Sequence, residues 1–156
     1  MRSSCEGDEA AIVWNDGASL YNKGWKRSSL SGVDDPMLPL WTILLVDDES
    51  ELRDLIAATL TKPGYEVLTA SDGYEAIRII VSRKVDLLLT DIRLPGLSGF
   101  DLARQARLMR PHLHVIYMSG YHVENERGVG PTYGRLLAKP IRPAQLIGEV
   151  NAELGF

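Results

Sequence analysis

The chain has 156 residues, a formal net charge of −4 and a single cysteine, Cys5. That length fits one domain with an ordinary core plus a short arm. The acidic balance lacks the basic footprint of a nucleic-acid binder, one cysteine excludes an internal disulfide and suits a reducing compartment, and no apolar run approaches the length that spans a bilayer.

Residues 1–40 open with MRSSCEGDEA, which is acidic and lacks the apolar stretch of a signal peptide, so a cytoplasmic location is expected. Gly, Ser, Asp and Asn alternate there with isolated aromatics (Trp14, Tyr21, Trp25), and no period of 3.6 or 2 is sustained. The segment SSLSGVDDPMLP, broken by Pro36 and Pro39, reads as a linker. We therefore expect residues 1–40 to be a poorly ordered arm or linker. The sharper alternative is that the tryptophans dock on a partner or on the domain itself.

From Trp41 the pattern changes, and residues 41–156 are expected to form the folded domain. TILLVD is a continuous apolar run, as in a strand buried on both faces. Ser50 is expected to cap a helix whose Leu52, Leu55, Ile56 and Leu60 share a face, and Lys62-Pro63-Gly64 ends it. Residues 65–69 are more polar and suit an edge strand. Asp72 is expected to cap a second helix with Ile77, Ile80 and Val81 inward. DLLLTD is a further buried strand. The loop IRLPGLSG leads to a helix carrying Leu102, Ala106 and Met109, which stops at Arg110-Pro111.

HVIYMSG is a fourth strand. Residues 121–134 hold Gly128, Gly130, Pro131 and Gly134, so any helix there is short. GRLLAKP is a fifth strand, and residues 142–154 form a last helix with Leu146, Ile147, Val150 and Leu154 inward. This alternation predicts an α/β fold: a five-stranded parallel sheet covered by helices on both faces. Right-handed crossovers favour the flavodoxin-like strand order 2-1-3-4-5.

In such a sheet ligands bind beyond the carboxyl ends of the strands. Asp47 and Asp48 close the first strand, Asp91 the third, Ser119 the fourth and Lys139 the fifth. Three carboxylates brought together repel one another unless a cation sits among them. An oxygen-only set suits Mg²⁺, and the absence of His and Cys from these motifs disfavours zinc. A carboxylate can accept a phosphoryl group, with a metal and Lys139 neutralising its charge and Ser119 hydrogen-bonding an oxygen. The Lys139–Pro140 bond can be cis at modest cost. Each element alone is ordinary: a lone Asp after a strand is most often a helix cap, and Ser-Gly is a common turn. Their joint order carries the reading.

The segments LLVDDE, LLLTDIRLPGLSG, VIYMSGY and LLAKPI resemble the signature segments of the receiver domain of two-component response regulators, over about residues 41–156. Within that family, VIYMSGY followed by KPI is similar to receivers attached to hybrid sensor kinases. The resemblance implies that Asp91 accepts a phosphoryl group from a phosphohistidine on a histidine kinase or histidine phosphotransfer protein. It implies that Asp47, Asp48, Asp91 and the backbone carbonyl of Arg93 hold Mg²⁺. It makes Ser119 and Lys139 the pair that senses the phosphoryl group and shifts a partner-binding face. The family often carries an aromatic residue three positions before the lysine; here Leu136 stands there, and Tyr133 is offset by three. Arg93, two residues after Asp91, occupies a position that tunes phosphoryl hydrolysis in the family.

A phosphoacceptor signalling domain is thus expected, not an enzyme beyond catalysing its own phosphorylation and dephosphorylation. Because the sequence ends just after the last helix, no output domain is expected to follow, and no partner nucleic acid or membrane is expected. Two other readings stand beside it. One is a scaffold that works without phosphorylation. The other is a phosphatase using an aspartyl phosphate, although such enzymes of the haloacid dehalogenase type carry D-x-D after the first strand, where Asp47-Asp48 are adjacent here. A flavin is disfavoured because the acidic Asp47–Ser50 turn would repel a cofactor phosphate.

Overall fold

The computed structural model describes residues 41–120 and 133–155. Residues 1–40, with the expected arm and linker, and 121–132, most of the segment expected to hold at most a short helix, lie outside the described residues. The strands are β1 (Thr42–Val46), β2 (Glu66–Ala70), β3 (Leu87–Asp91), β4 (His114–Ser119) and β5 (Arg135–Ala138). The helices are α1 (Ser50–Thr61), α2 (Gly73–Ser82), α3 (Gly99–Met109) and α4 (Pro143–Leu154). The sheet runs β2-β1-β3-β4-β5, and every adjacent pair is parallel. This is the order expected from the sequence.

Period-2 geometry sends alternate residues of each strand to opposite faces, so the continuous apolar runs feed two cores. Leu44, Val46, Leu88, Val115 and Tyr117 pack with Ala76 and Ile80 of α2 and with Leu102, Ala103 and Ala106 of α3. Ile43, Leu45, Leu87, Leu89, Ile116, Met118 and Leu137 pack with Ile56 and Leu60 of α1 and with Leu146, Val150 and Leu154 of α4. Each fully buried Leu or Ile contributes about 1.5–3 kcal/mol. An exposed ion pair such as Arg83–Glu66 contributes about 0–1 kcal/mol. The two cores therefore dominate, and β2 at the edge is only partly buried.

Asp72 caps α2 by accepting from the Glu75 amide at 2.8 Å, and Ser98 caps α3 by accepting from the Asp101 amide at 3.1 Å. Gly64, at φ +108°, turns the chain out of α1. The cap expected of Ser50 is absent: Ser50 is the first helical residue, and Glu49 at the cap position makes no side-chain capping bond. Three residues expected to face inward are exposed: Leu55, Val81 and Met109. Leu55 and Val81 each lie one residue, about 100° of helix, from the buried Ile56 and Ile80, and Met109 is in the final turn of α3. The Lys139–Pro140 peptide is cis. Among the described residues, no helix is long and apolar enough to cross a membrane.

Candidate functional site

The sheet order makes β1 and β3 neighbours, with Val46 opposite Thr90. The next residues along the two strands, Asp47 and Asp91, therefore stand side by side at the carboxyl edge. Asp47 is fully buried and Asp91 nearly so, while Asp48 is exposed. One carboxylate oxygen from each of Asp47, Asp48 and Asp91 lies within 4.8 Å of the others.

Lys139 enters this cluster from the far side. Its amide donates to the Ser119 carbonyl at 2.6 Å, which holds the start of the β5–α4 loop against the end of β4. Its ammonium then reaches across β4 to Asp91 Oδ2 at 2.9 Å and Asp47 Oδ2 at 3.1 Å. Burial opposes the charge on Lys139, but hydrogen bonds to Asp91 and Asp47 and their negative charges outweigh it. The lysine is held above its ordinary pKa.

Main-chain amides hold the opposite carboxylate oxygens. Glu49 N donates to Asp47 Oδ1 at 2.8 Å, and Arg93 N donates to Asp91 Oδ1 at 3.1 Å. Three carboxylates facing one ammonium leave the cluster negative by formal charge. An all-oxygen set at this spacing fits a hard divalent cation such as Mg²⁺, which takes few protein ligands and keeps several waters.

Two glycines let backbones approach closely, Gly99 at this carboxyl edge and Gly134 at the amino end of β5. A Cβ on Gly99 would sit 2.2 Å from the Asp91 carbonyl oxygen, and Gly99 N donates to the Ile92 carbonyl at 2.8 Å. The start of α3 is thus pressed directly onto the Asp91 turn. A Cβ on Gly134 would meet the Val115 carbonyl oxygen at 1.9 Å, so β5 enters the sheet where only glycine fits.

Of the residues singled out in the sequence, the fold brings Asp47, Asp48, Asp91 and Lys139 into one cluster. Ser119 ends the neighbouring strand, and its hydroxyl donates to the Gly120 carbonyl at 3.0 Å. Leu136 lies opposite Tyr117 in the β4–β5 register and packs on the same core cluster. Tyr117 also contacts Phe100, with ring centroids 5.0 Å apart. Tyr133 lies on the exposed side, its ring under the Arg107 guanidinium at 5.4 Å. Sequence reasoning missed Arg53, which donates to the Asp47 carbonyl at 2.7 Å; no periodicity marks it. It also missed Gly99, for which the Ser-Gly pair opening α3 was the available signal.

Comparison with known proteins agrees with this architecture. A family model described as the response regulator receiver domain matches residues 43–151. The phosphate regulon transcriptional regulatory protein PhoB of Pseudomonas aeruginosa is 40% identical over 119 residues, covering 72% of this chain and 51% of that protein. The alkaline phosphatase synthesis transcriptional regulatory protein PhoP of Bacillus subtilis is 32% identical over 114 residues, covering 72% and 48%. The chain spans about half the length of these curated relatives. A response regulator receiver protein from Sinorhizobium medicae superposes with a TM-score of 0.69 at 36% identity, covering 74% of this chain and 94% of that one.

Proposed function

The chain belongs to the response regulator receiver domain family of two-component systems, and from that premise we propose that Asp91 accepts a phosphoryl group from a histidine kinase or a histidine phosphotransfer protein. The observation that carries this reading is the cluster itself: Asp47, Asp48 and Asp91 within 4.8 Å of one another, with the Lys139 ammonium on two of them.

In the proposed step an Asp91 carboxylate oxygen attacks the phosphorus of the donor phosphohistidine. The new O–P bond forms as the N–P bond breaks, and its electron pair returns to the imidazole, which takes up a proton. Asp47, Asp48, Asp91 and the Arg93 carbonyl are the proposed Mg²⁺ ligands, and the ion supplies charge neutralisation at the phosphoryl oxygens. Lys139 is already placed against Asp91, and moving with a phosphoryl oxygen would keep its charge compensated. Ser119, freed from the Gly120 carbonyl, would donate to another phosphoryl oxygen and so couple the site to the edge of the sheet. The proposed domain spans residues 41–156, and its proposed location is the cytoplasm.

The test is phosphotransfer from purified, radiolabelled histidine kinases of the source organism, and from a small acyl phosphate with Mg²⁺. The expected result is acid-stable, alkali-labile label on the wild-type chain and none on Asp91→Asn. Full, persistent labelling of Asp91→Asn overturns the assignment. Beryllofluoride with Mg²⁺ should change the protein's spectrum; no response at saturation would favour a phosphorylation-independent scaffold.

A further inference from the structure

The three acidic side chains are not held alike. Asp47 and Asp91 each have both carboxylate oxygens engaged, by the Glu49 and Arg93 amides and by Lys139. Asp48 is exposed, and its carboxylate makes no hydrogen bond or ion pair with another described residue. With no side-chain partner to aim it, the main chain that carries Asp48 fixes the direction of its Cα–Cβ bond towards the cluster.

That main chain is the peptide joining Asp47 to Asp48. Upstream, Asp47 N donates to the Ala70 carbonyl at 3.2 Å, which anchors the end of β1 to β2. The carbonyl of the joining peptide belongs to Asp47, and it accepts from Arg53 Nη1 at 2.7 Å. Arg53 lies in α1, half-buried, and its guanidinium reaches back to the strand end it follows. Arg53 thus holds the peptide plane on the upstream side of Asp48, while the peptide on its downstream side is held through Glu49 N on Asp47 Oδ1 at 2.8 Å.

We propose that Arg53 is a positioning residue for the divalent cation: by holding the Asp47 carbonyl it sets the plane of the Asp47–Asp48 peptide and so aims Asp48 into the cluster. This rests on the Mg²⁺ reading above. It also makes a prediction of definite sign. A guanidinium near three carboxylates competes electrostatically with a bound cation, so a purely Coulombic role means that removing it tightens Mg²⁺ binding. A positioning role means the reverse, because an outer partner that orients a ligand is worth about 10–100-fold in metal affinity.

The experiment is calorimetric titration of the full chain with Mg²⁺, with thermal melts alongside, for wild type, Arg53→Ala and Arg53→Lys. Wild type should bind. Arg53→Ala should bind about tenfold more weakly, and Arg53→Lys, which keeps a donor, should recover most of the loss. If Arg53→Ala melts far below wild type, Arg53→Met, which keeps the apolar stem, takes its place. Mg²⁺ binding by the alanine or methionine variant equal to or tighter than wild type overturns the proposal while leaving the parent reading intact. Failure of wild type to bind Mg²⁺ overturns both.

Discussion

The Lys139 ammonium lies 2.9 Å from Asp91 Oδ2, a contact between residues 48 positions apart that reaches across β4. The same ammonium bonds Asp47 at 3.1 Å, so the residue that follows the last strand holds together the ends of the first and third. Its removal should have two opposite consequences. Lys139→Ala should tighten Mg²⁺ binding about fivefold, because one competing cation is gone from the carboxylates. It should also abolish the beryllofluoride response, because no cation then follows the phosphoryl oxygens. Calorimetry and fluorescence on the same sample read both effects.

Gly99 is the position where a single methyl group should do most damage to the acidic site. Its Cβ would fall 2.2 Å from the Asp91 carbonyl oxygen, and that neighbour is backbone, which cannot rotate aside. Gly99→Ala is expected to lower unfolding free energy by about 1–3 kcal/mol and to weaken Mg²⁺ binding. Urea denaturation gives the first quantity. An unchanged midpoint would mean that α3 can slide off the Asp91 turn without cost.

A buried tyrosine, Tyr117, and a half-buried one, Tyr65, predict an alkaline limb in the stability curve. Burial pushes Tyr65 up to about 12. Tyr117 is likewise pushed up to about 12, by burial first and by Tyr133 next, with Arg107 opposing. In the unfolded chain each ionises near the ordinary tyrosine value of about 10. The folded state therefore retains protons that the unfolded state loses, and stability falls as pH rises from about 10 towards about 12. Tyr65→Phe and Tyr117→Phe should each flatten that limb, as measured by denaturant midpoints across the alkaline range. Tyr65→Phe also breaks the hydrogen bond to Asn151 of α4, so it should lower stability at neutral pH as well.

The α1–α4 face should respond as a single packed core. Leu60 is fully buried in the cluster that holds Leu146, Val150 and Leu154. Leu60→Ala is expected to cost about 2–5 kcal/mol, whereas Leu55→Ala, on the exposed side of the same helix, should cost about 0.5 kcal/mol or less. Comparable losses at the two positions would contradict the observed face.

The strand runs were legible because buried parallel strands are apolar on both faces, and TILLV and LLLTD carry that signature without interruption. The helix faces were legible to within one residue of the stripe. Leu55 and Val81 were misassigned because apolar character alone does not say where a stripe ends when neighbouring apolar residues are 100° apart, and Met109 because it falls in the final turn of α3, past the last buried residue, Ala106. Ser50 was misread as a cap because a serine before an apolar helix is a common capping signal, while Glu49 occupies the cap position without a side-chain bond.

By itself the sequence determined the kinds of group at the strand ends and their order, and hence the family and the edge where they gather. A strand ending in an acid carries that information locally. Only the tertiary structure decided how those groups are held: Lys139 on Asp91 and Asp47, Gly99 against the Asp91 carbonyl, and Arg53 on the Asp47 carbonyl. These contacts join separate elements, and their geometry depends on crossover, register and packing distance. No local pattern encodes those quantities, because a side chain's partner across the sheet is chosen by the fold as a whole.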